Sequence, residues 1–135
     1  MEKTSVLLLV EDEALIRDSM AAVLEDGGFT VVQADGGEAA ISQLDGENDF
    51  SGVITDIRMG AGTTGWEVAR HARHAYPTIA IVYLSGDSAA DWGSEGVPNS
   101  MMLQKPFASA QLLTAISTLL NANDSNLSQP PQPGQ

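Results

Sequence analysis

The chain contains no cysteine. Disulfides, thiolate metal sites, iron–sulfur clusters and cysteine nucleophiles are therefore excluded, and a reducing compartment fits. Positive charge is scarce: six Lys and Arg stand against 18 Asp and Glu, a formal net charge of −12. Such a surface repels a phosphate backbone, which argues against a nucleic-acid partner. Apolar runs are short. Val6–Val10 is flanked by Glu2 and by Glu11-Asp12-Glu13. It is far below the roughly 20 residues of a spanning helix and lacks the form of a signal-peptide core. A soluble, cytoplasmic protein with no membrane partner is the expectation. What the chain does have is 135 residues, 43% hydrophobic and 18% charged, the make-up of one ordinary globular domain.

Val6–Val10 reads as a strand buried on both faces, as in a parallel sheet. Leu15, Ile16, Met20, Val23 and Leu24 follow at helical spacing, and Gly27-Gly28 ends that helix. Further strands are expected at Thr30–Ala34, Gly52–Thr55, Thr78–Leu84 and Ser100–Gln104. Helices are expected at Gly37–Leu44, Trp66–Ala75 and Phe107–Leu120. Residues 87–97 hold Gly93 and Gly96, so helix there is short or frayed. Five strands alternating with helical stretches imply right-handed crossovers and a parallel sheet covered on both faces, an α/β domain over residues 1–121. Residues 122–135 are polar, with three prolines, and read as a disordered tail.

In such a sheet the functional crevice lies at the carboxyl ends of the strands. Glu11 and Asp12 stand after the first strand, Asp56 ends the third, Ser85 ends the fourth and Lys105 follows the fifth. Packed carboxylates repel one another and call for a cation. An all-oxygen donor set suits a hard ion such as Mg²⁺. With Lys105 it brings the site near neutrality, so that a phosphoryl group can enter. The carboxylate of Asp56 can then act as nucleophile and form an aspartyl phosphate, with Lys105 clamping the phosphoryl oxygens. Taken singly, these residues have plainer readings. Asp12 can cap a helix and Glu13 complement its dipole. Asp56 can be a turn residue, Lys105 a solvated lysine, and Ser85-Gly86 an ordinary strand exit.

Taken together, Glu11-Asp12, Ile54-Thr55-Asp56-Ile57-Arg58-Met59, Leu84-Ser85-Gly86 and Lys105-Pro106-Phe107 closely resemble the receiver domain of two-component response regulators (CheY-like), here of the stand-alone type. The resemblance covers about residues 4–121. It implies a flavodoxin-like, doubly wound (βα)₅ fold with a five-stranded parallel sheet. It also implies a phosphoacceptor switch rather than an enzyme, in which Asp56 takes phosphate from a phosphohistidine on a sensor histidine kinase or phosphotransfer protein. It further implies Mg²⁺ held by Asp12, Asp56 and the backbone carbonyl of Arg58, with Glu11 acting through water. Ser85 would bond the phosphoryl group, Lys105 would pair with it, and the Lys105–Pro106 peptide would be cis. A flavodoxin-like FMN binder is the alternative, although Glu11-Asp12-Glu13 stand where a phosphate cradle belongs. An aspartyl-phosphate phosphatase is a third reading, but it needs an aspartate at position 58, where arginine stands.

The sequence departs from the family pattern in several places. Gly60–Gly65 suggests a one-residue insertion in the loop roofing the site. Met102 replaces the aromatic switch residue three positions before the lysine, which predicts muted coupling. Trp92 is expected to pack on the sheet, the alternative being a recognition residue at the switch surface. Leu113, on a last helix without charge between Ala108 and Ala122, is expected on an outer face that reads equally as a small-polar solvent face or as a surface open to a second copy or to an unidentified downstream protein. Arg58 and Asp87 can pair over the site. His71 and His74, with Arg70 and Arg73, read as a solvated basic face rather than a metal site.

Overall fold

The computed structural model describes residues 5–60, 62–87 and 89–128. Five strands, β1 (Val6–Val10), β2 (Thr30–Ala34), β3 (Gly52–Asp56), β4 (Ala80–Ser85) and β5 (Met101–Gln104), form one parallel sheet in the order β2-β1-β3-β4-β5. Between them run α1 (Ala14–Asp26), α2 (Gly37–Leu44), α3 (Gly65–Ala75) and a single helical turn, α4 (Trp92–Glu95). The long α5 (Ser109–Ser128) closes the chain. This is the flavodoxin-like (βα)₅ arrangement.

Strand side chains alternate between two apolar layers. Leu8, Val10, Val53, Ile81 and Tyr83 point to the face covered by α2 and α3. Leu7, Leu9, Ile54, Val82 and Leu84 point to the face covered by α1 and α5. A strand buried on both sides has no polar face to show, which is why β1, β3 and β4 read as continuous apolar runs.

Helix ends follow local chemistry. At the end of α1, Gly28 has φ +98°. The amide of Phe29 donates to Leu24 O at 3.2 Å and that of Gly28 to Glu25 O at 3.0 Å. This paired closure needs a residue free to enter the left-handed region. At the start of α3, the Thr64 hydroxyl accepts from the Glu67 amide while the Glu67 carboxylate accepts from the Thr64 amide, a reciprocal cap.

Several boundaries differ from the sequence reading. β4 starts at Ala80 rather than Thr78. The Ile79 amide donates to Tyr76 O, and the Ile79 carbonyl accepts from Arg73 Nε at 2.8 Å, so its polar groups are committed outside the ladder. β5 starts at Met101 rather than Ser100. α5 runs to Ser128, through residues expected to be disordered. No breaker interrupts that stretch before Pro130, and a helix already nucleated extends at small cost. The rest of the expected tail lies outside the described residues. Leu15 and Ile16, read as part of the packed stripe of α1, are 84% and 40% exposed. They sit in its first turn, at the carboxyl edge of β1, where little sheet remains to cover.

Candidate phosphoacceptor site

The order of strands reverses between β1 and β3, since β1 leads to β2 on one side and the chain returns to β3 on the other. The crevice of an open α/β sheet forms at such a point, and Glu11, Asp12 and Asp56 converge there. One carboxylate oxygen from each lies within 4.8 Å of the other two. Asp56 is buried at the last position of β3, and the Thr55 hydroxyl donates to its backbone carbonyl at 2.8 Å. Asp12 is exposed. It makes no cap: α1 starts after Glu13 without any side-chain capping bond.

Glu11 is the most enclosed of the three, 1% exposed. Its Oε2 accepts from the Glu13 amide at 3.1 Å, whereas Oε1 is buried without a hydrogen-bond partner. Burial pushes this carboxyl up to about 7 against the pull of the Glu13 amide; the Asp12 contact and the charge of Asp56 add to the rise. Lys105 arrives from the end of β5. Its Nζ lies 3.0 Å from Asp56 Oδ2 and 3.6 Å from Glu11 Oε1. Burial would lower the lysine pKa, but the hydrogen bond and charge of Asp56, followed by Glu11, outweigh it and leave it raised. Lys105 is therefore an ammonium at neutral pH, and the Lys105–Pro106 peptide is cis as expected.

Ser85 is buried at the last position of β4, and its carbonyl accepts from the Lys105 amide at 2.7 Å. That bond ties the hydroxyl-bearing residue to the ammonium-bearing one. Arg58 leaves the crevice: its Nε pairs with Asp87 Oδ1 at 3.2 Å, both side chains about 70% exposed. The loop between Asp56 and α3 is docked from below. A side chain at position 37 would overlap Thr63, and the Glu38 carboxylate accepts from the Thr63 amide at 3.4 Å. Gly65 lies against the Asp56 carbonyl so closely that a Cβ would overlap it.

Three expectations need correction. Trp92 is not a plug on the sheet. It is 39% exposed, lies against Gly96, and donates its indole N–H to Ser100 Oγ at 3.0 Å. The one-turn α4 is too short to carry it over the sheet. Leu113 is not on an open face: it is half-buried, packed toward α1, where a Cβ on Gly27 would overlap it. The basic face of α3 is bonded rather than merely solvated. Arg70 pairs with Glu95, His71 with Asp45, and Arg73 donates to the carbonyls of Ile79, Pro98 and Asn99. Met102 is half-buried and lies opposite Tyr83 in the ladder. Tyr83 is the aromatic that the sequence reading passed over. Its ring meets Trp66 at 4.6 Å between centroids, and its hydroxyl accepts from the Val97 amide at 3.1 Å.

An open parallel sheet whose switch point gathers three carboxylates, two of them beside one ammonium, defines the class as a doubly wound, flavodoxin-like α/β protein with an acidic crevice. More narrowly, the chain belongs to the response regulator receiver domain family, whose model matches residues 7–117. A solved response regulator receiver protein from Sinorhizobium medicae WSM419 superposes with a TM-score of 0.87 at 45% identity, covering 90% of this chain and 98% of that one. The chemotaxis protein CheY4 of Vibrio cholerae gives 0.78 at 26% identity, over 87% and 99%. Among curated relatives, the sensor kinase CckA of Brucella abortus (strain 2308) is 32% identical over 127 residues, 90% of this chain but 13% of that protein. The regulatory protein SphR of Synechococcus elongatus is 31% identical over 94% of this chain and 53% of its own length. The chain thus spans about half or less of these two relatives. No helix among the described residues is long and apolar enough to cross a membrane.

Proposed function

We propose that this chain is a phosphoacceptor switch. Asp56 takes a phosphoryl group from the phosphohistidine of a sensor kinase or phosphotransfer protein, and the modified chain then changes its binding to a downstream protein or passes the phosphate on. The observation that carries this reading is Lys105 Nζ held 3.0 Å from Asp56 Oδ2 and 3.6 Å from Glu11 Oε1 at the switch point.

The donor set fits a divalent cation, since three carboxylate oxygens share a small space and one buried oxygen lacks a hydrogen-bond partner. Asp12, Asp56 and the Arg58 carbonyl would hold Mg²⁺, with Glu11 acting through water. The ion would supply positive charge against the phosphoryl oxygens. In transfer, a carboxylate oxygen of Asp56 bonds to phosphorus as the N–P bond breaks. The electron pair stays on the imidazole nitrogen, which is then protonated from solvent. Lys105 turns from the carboxylate to a phosphoryl oxygen. Ser85 supplies a hydroxyl donor to another, and its backbone bond to Lys105 makes the two residues move together. The exposed Arg58–Asp87 pair would limit the approach of water to the phosphoryl group. Leu15 and Ile16, exposed beside the acidic turn, offer an apolar step for the kinase helices that carry the histidine.

The test is incubation with acetyl phosphate and Mg²⁺ followed by intact mass. Wild type is expected to gain one phosphoryl group, and Asp56→Asn none. Label on the Asp56→Asn chain would overturn the assignment.

A further inference from the structure

We infer that Arg17 is a positioning residue of the acidic turn: it holds the Glu11–Asp12 peptide in the orientation that aims the carboxylates into the crevice. The inference rests on the phosphoacceptor reading and extends it to a residue outside the motifs.

In a parallel ladder a residue gives its N–H to one strand neighbour and receives, at its C=O, the N–H two positions further along. Glu11 obeys the first half, its amide donating to Ala34 O at 3.1 Å. The second half would need the amide of residue 36. However, β2 stops at Ala34 and the chain turns away into α2 at Gly37. Arg17 supplies the missing donor. From the second turn of α1, its Nη1 reaches the Glu11 carbonyl at 2.9 Å, while its Nε is held by Gln33 Oε1 at 3.0 Å.

The guanidinium therefore joins α1, the exit of β1 and the side of β2 in one planar fork. That fork suits the task, because the two bonds fix the plane of the group and hence the carbonyl. The carbonyl belongs to the peptide that links Glu11 to Asp12, so its rotation would swing both carboxylates. The Glu13 amide braces the Glu11 side chain from the other side of the turn, but the start of α1 has no side-chain cap and Asp12 is exposed, so Arg17 is the side chain that holds the carbonyl itself. The fork also sets positive charge behind a turn that carries Glu11, Asp12 and Glu13. It does so from the backbone side, where it does not compete with a metal for carboxylate oxygens.

The experiment is Mg²⁺ titration of the full chain by calorimetry, with melting temperature and the acetyl phosphate reaction measured on the same samples. Arg17→Met is expected to weaken Mg²⁺ binding about 10-fold or more, the usual effect of removing a group that orients a metal ligand. Its acetyl phosphate reaction is expected to need correspondingly more Mg²⁺, the half-saturating concentration rising in step with the weaker binding. Arg17→Lys, which can reach the carbonyl through a single ammonium, should recover part of the affinity. Gln33→Ala, which leaves the guanidinium but loosens it, should lose a smaller part, and it serves as the probe should Arg17→Met fail to fold. Unchanged Mg²⁺ affinity in the variants, with wild type still phosphorylated, would overturn the role of Arg17 alone. A wild type that neither binds Mg²⁺ nor gains phosphate would overturn the phosphoacceptor reading beneath it.

Discussion

Glu11 places a carboxyl where water does not reach. Its pKa is raised from 4.5 to about 7, so the folded chain holds this proton more tightly than the unfolded one. Stability from this group is therefore full below the unfolded value and is lost as pH rises toward the folded one. Without Mg²⁺, the melting temperature should fall across the window from 4.5 to about 7, and Glu11→Gln should flatten that fall. An identical slope in the variant would show that Glu11 is not its source. The same residue shows what sequence reading reaches and what it does not. Glu11, Asp12, Asp56, Ser85 and Lys105 were legible as strand-end positions, because β1, β3 and β4 announce themselves as apolar runs that stop at polar residues. That Glu11 rather than Asp12 is the enclosed carboxylate was not legible, since it depends on Lys105 arriving from a strand far along the chain. Arg17 was equally hidden: its partners are a carbonyl and a glutamine on another strand, and neither leaves a pattern in sequence.

Among the described residues, the connection from β4 to β5 is a strap interrupted by the single turn α4 rather than a full helix. Gly93 and Gly96 made its weakness readable, but its fastenings were not. The Tyr83 hydroxyl holds the Val97 amide, Ser100 holds the Trp92 indole and the Val97 carbonyl, and Arg73 holds Pro98 and Asn99. Every one of these bonds but those to Ser100 reaches back to α3 or β4. Tyr83 lies two residues before Ser85 on the same face of β4 and opposite Met102, so the ring absent at position 102 has a neighbour that already touches the strap. Tyr83→Phe should cost about 1 kcal/mol, the loss of one net hydrogen bond. Hydrogen exchange at Val97 and its neighbours should quicken while Asp56 still accepts phosphate. Protection of the strap equal to wild type would mean that the hydroxyl does not fasten it. The overlong α5 teaches the converse lesson: its polar final turns carry no apolar stripe, so composition pointed to disorder although no residue there forbids a helix.

The full chain carries a formal charge of −12, and self-repulsion of this size opposes compaction. Salt should therefore raise the melting temperature modestly by screening. Mg²⁺ should raise it further at matched ionic strength, because binding to the folded crevice adds about 1.4 kcal/mol at ten times the dissociation constant. Equal effects of NaCl and MgCl₂ would argue against a specific site. The two-layered architecture itself was readable from the alternation of strands and helices. The outer surface of α5 was not, because a leucine such as Leu113 can face either a neighbouring helix or a partner. Arg73, finally, clasps the peptide just before β4 and the two residues that lead toward β5. One rivet thus pins the far end of both strands, while the Ser85–Lys105 backbone bond clasps them at the other, so that the pair is fastened at both ends and resists sliding.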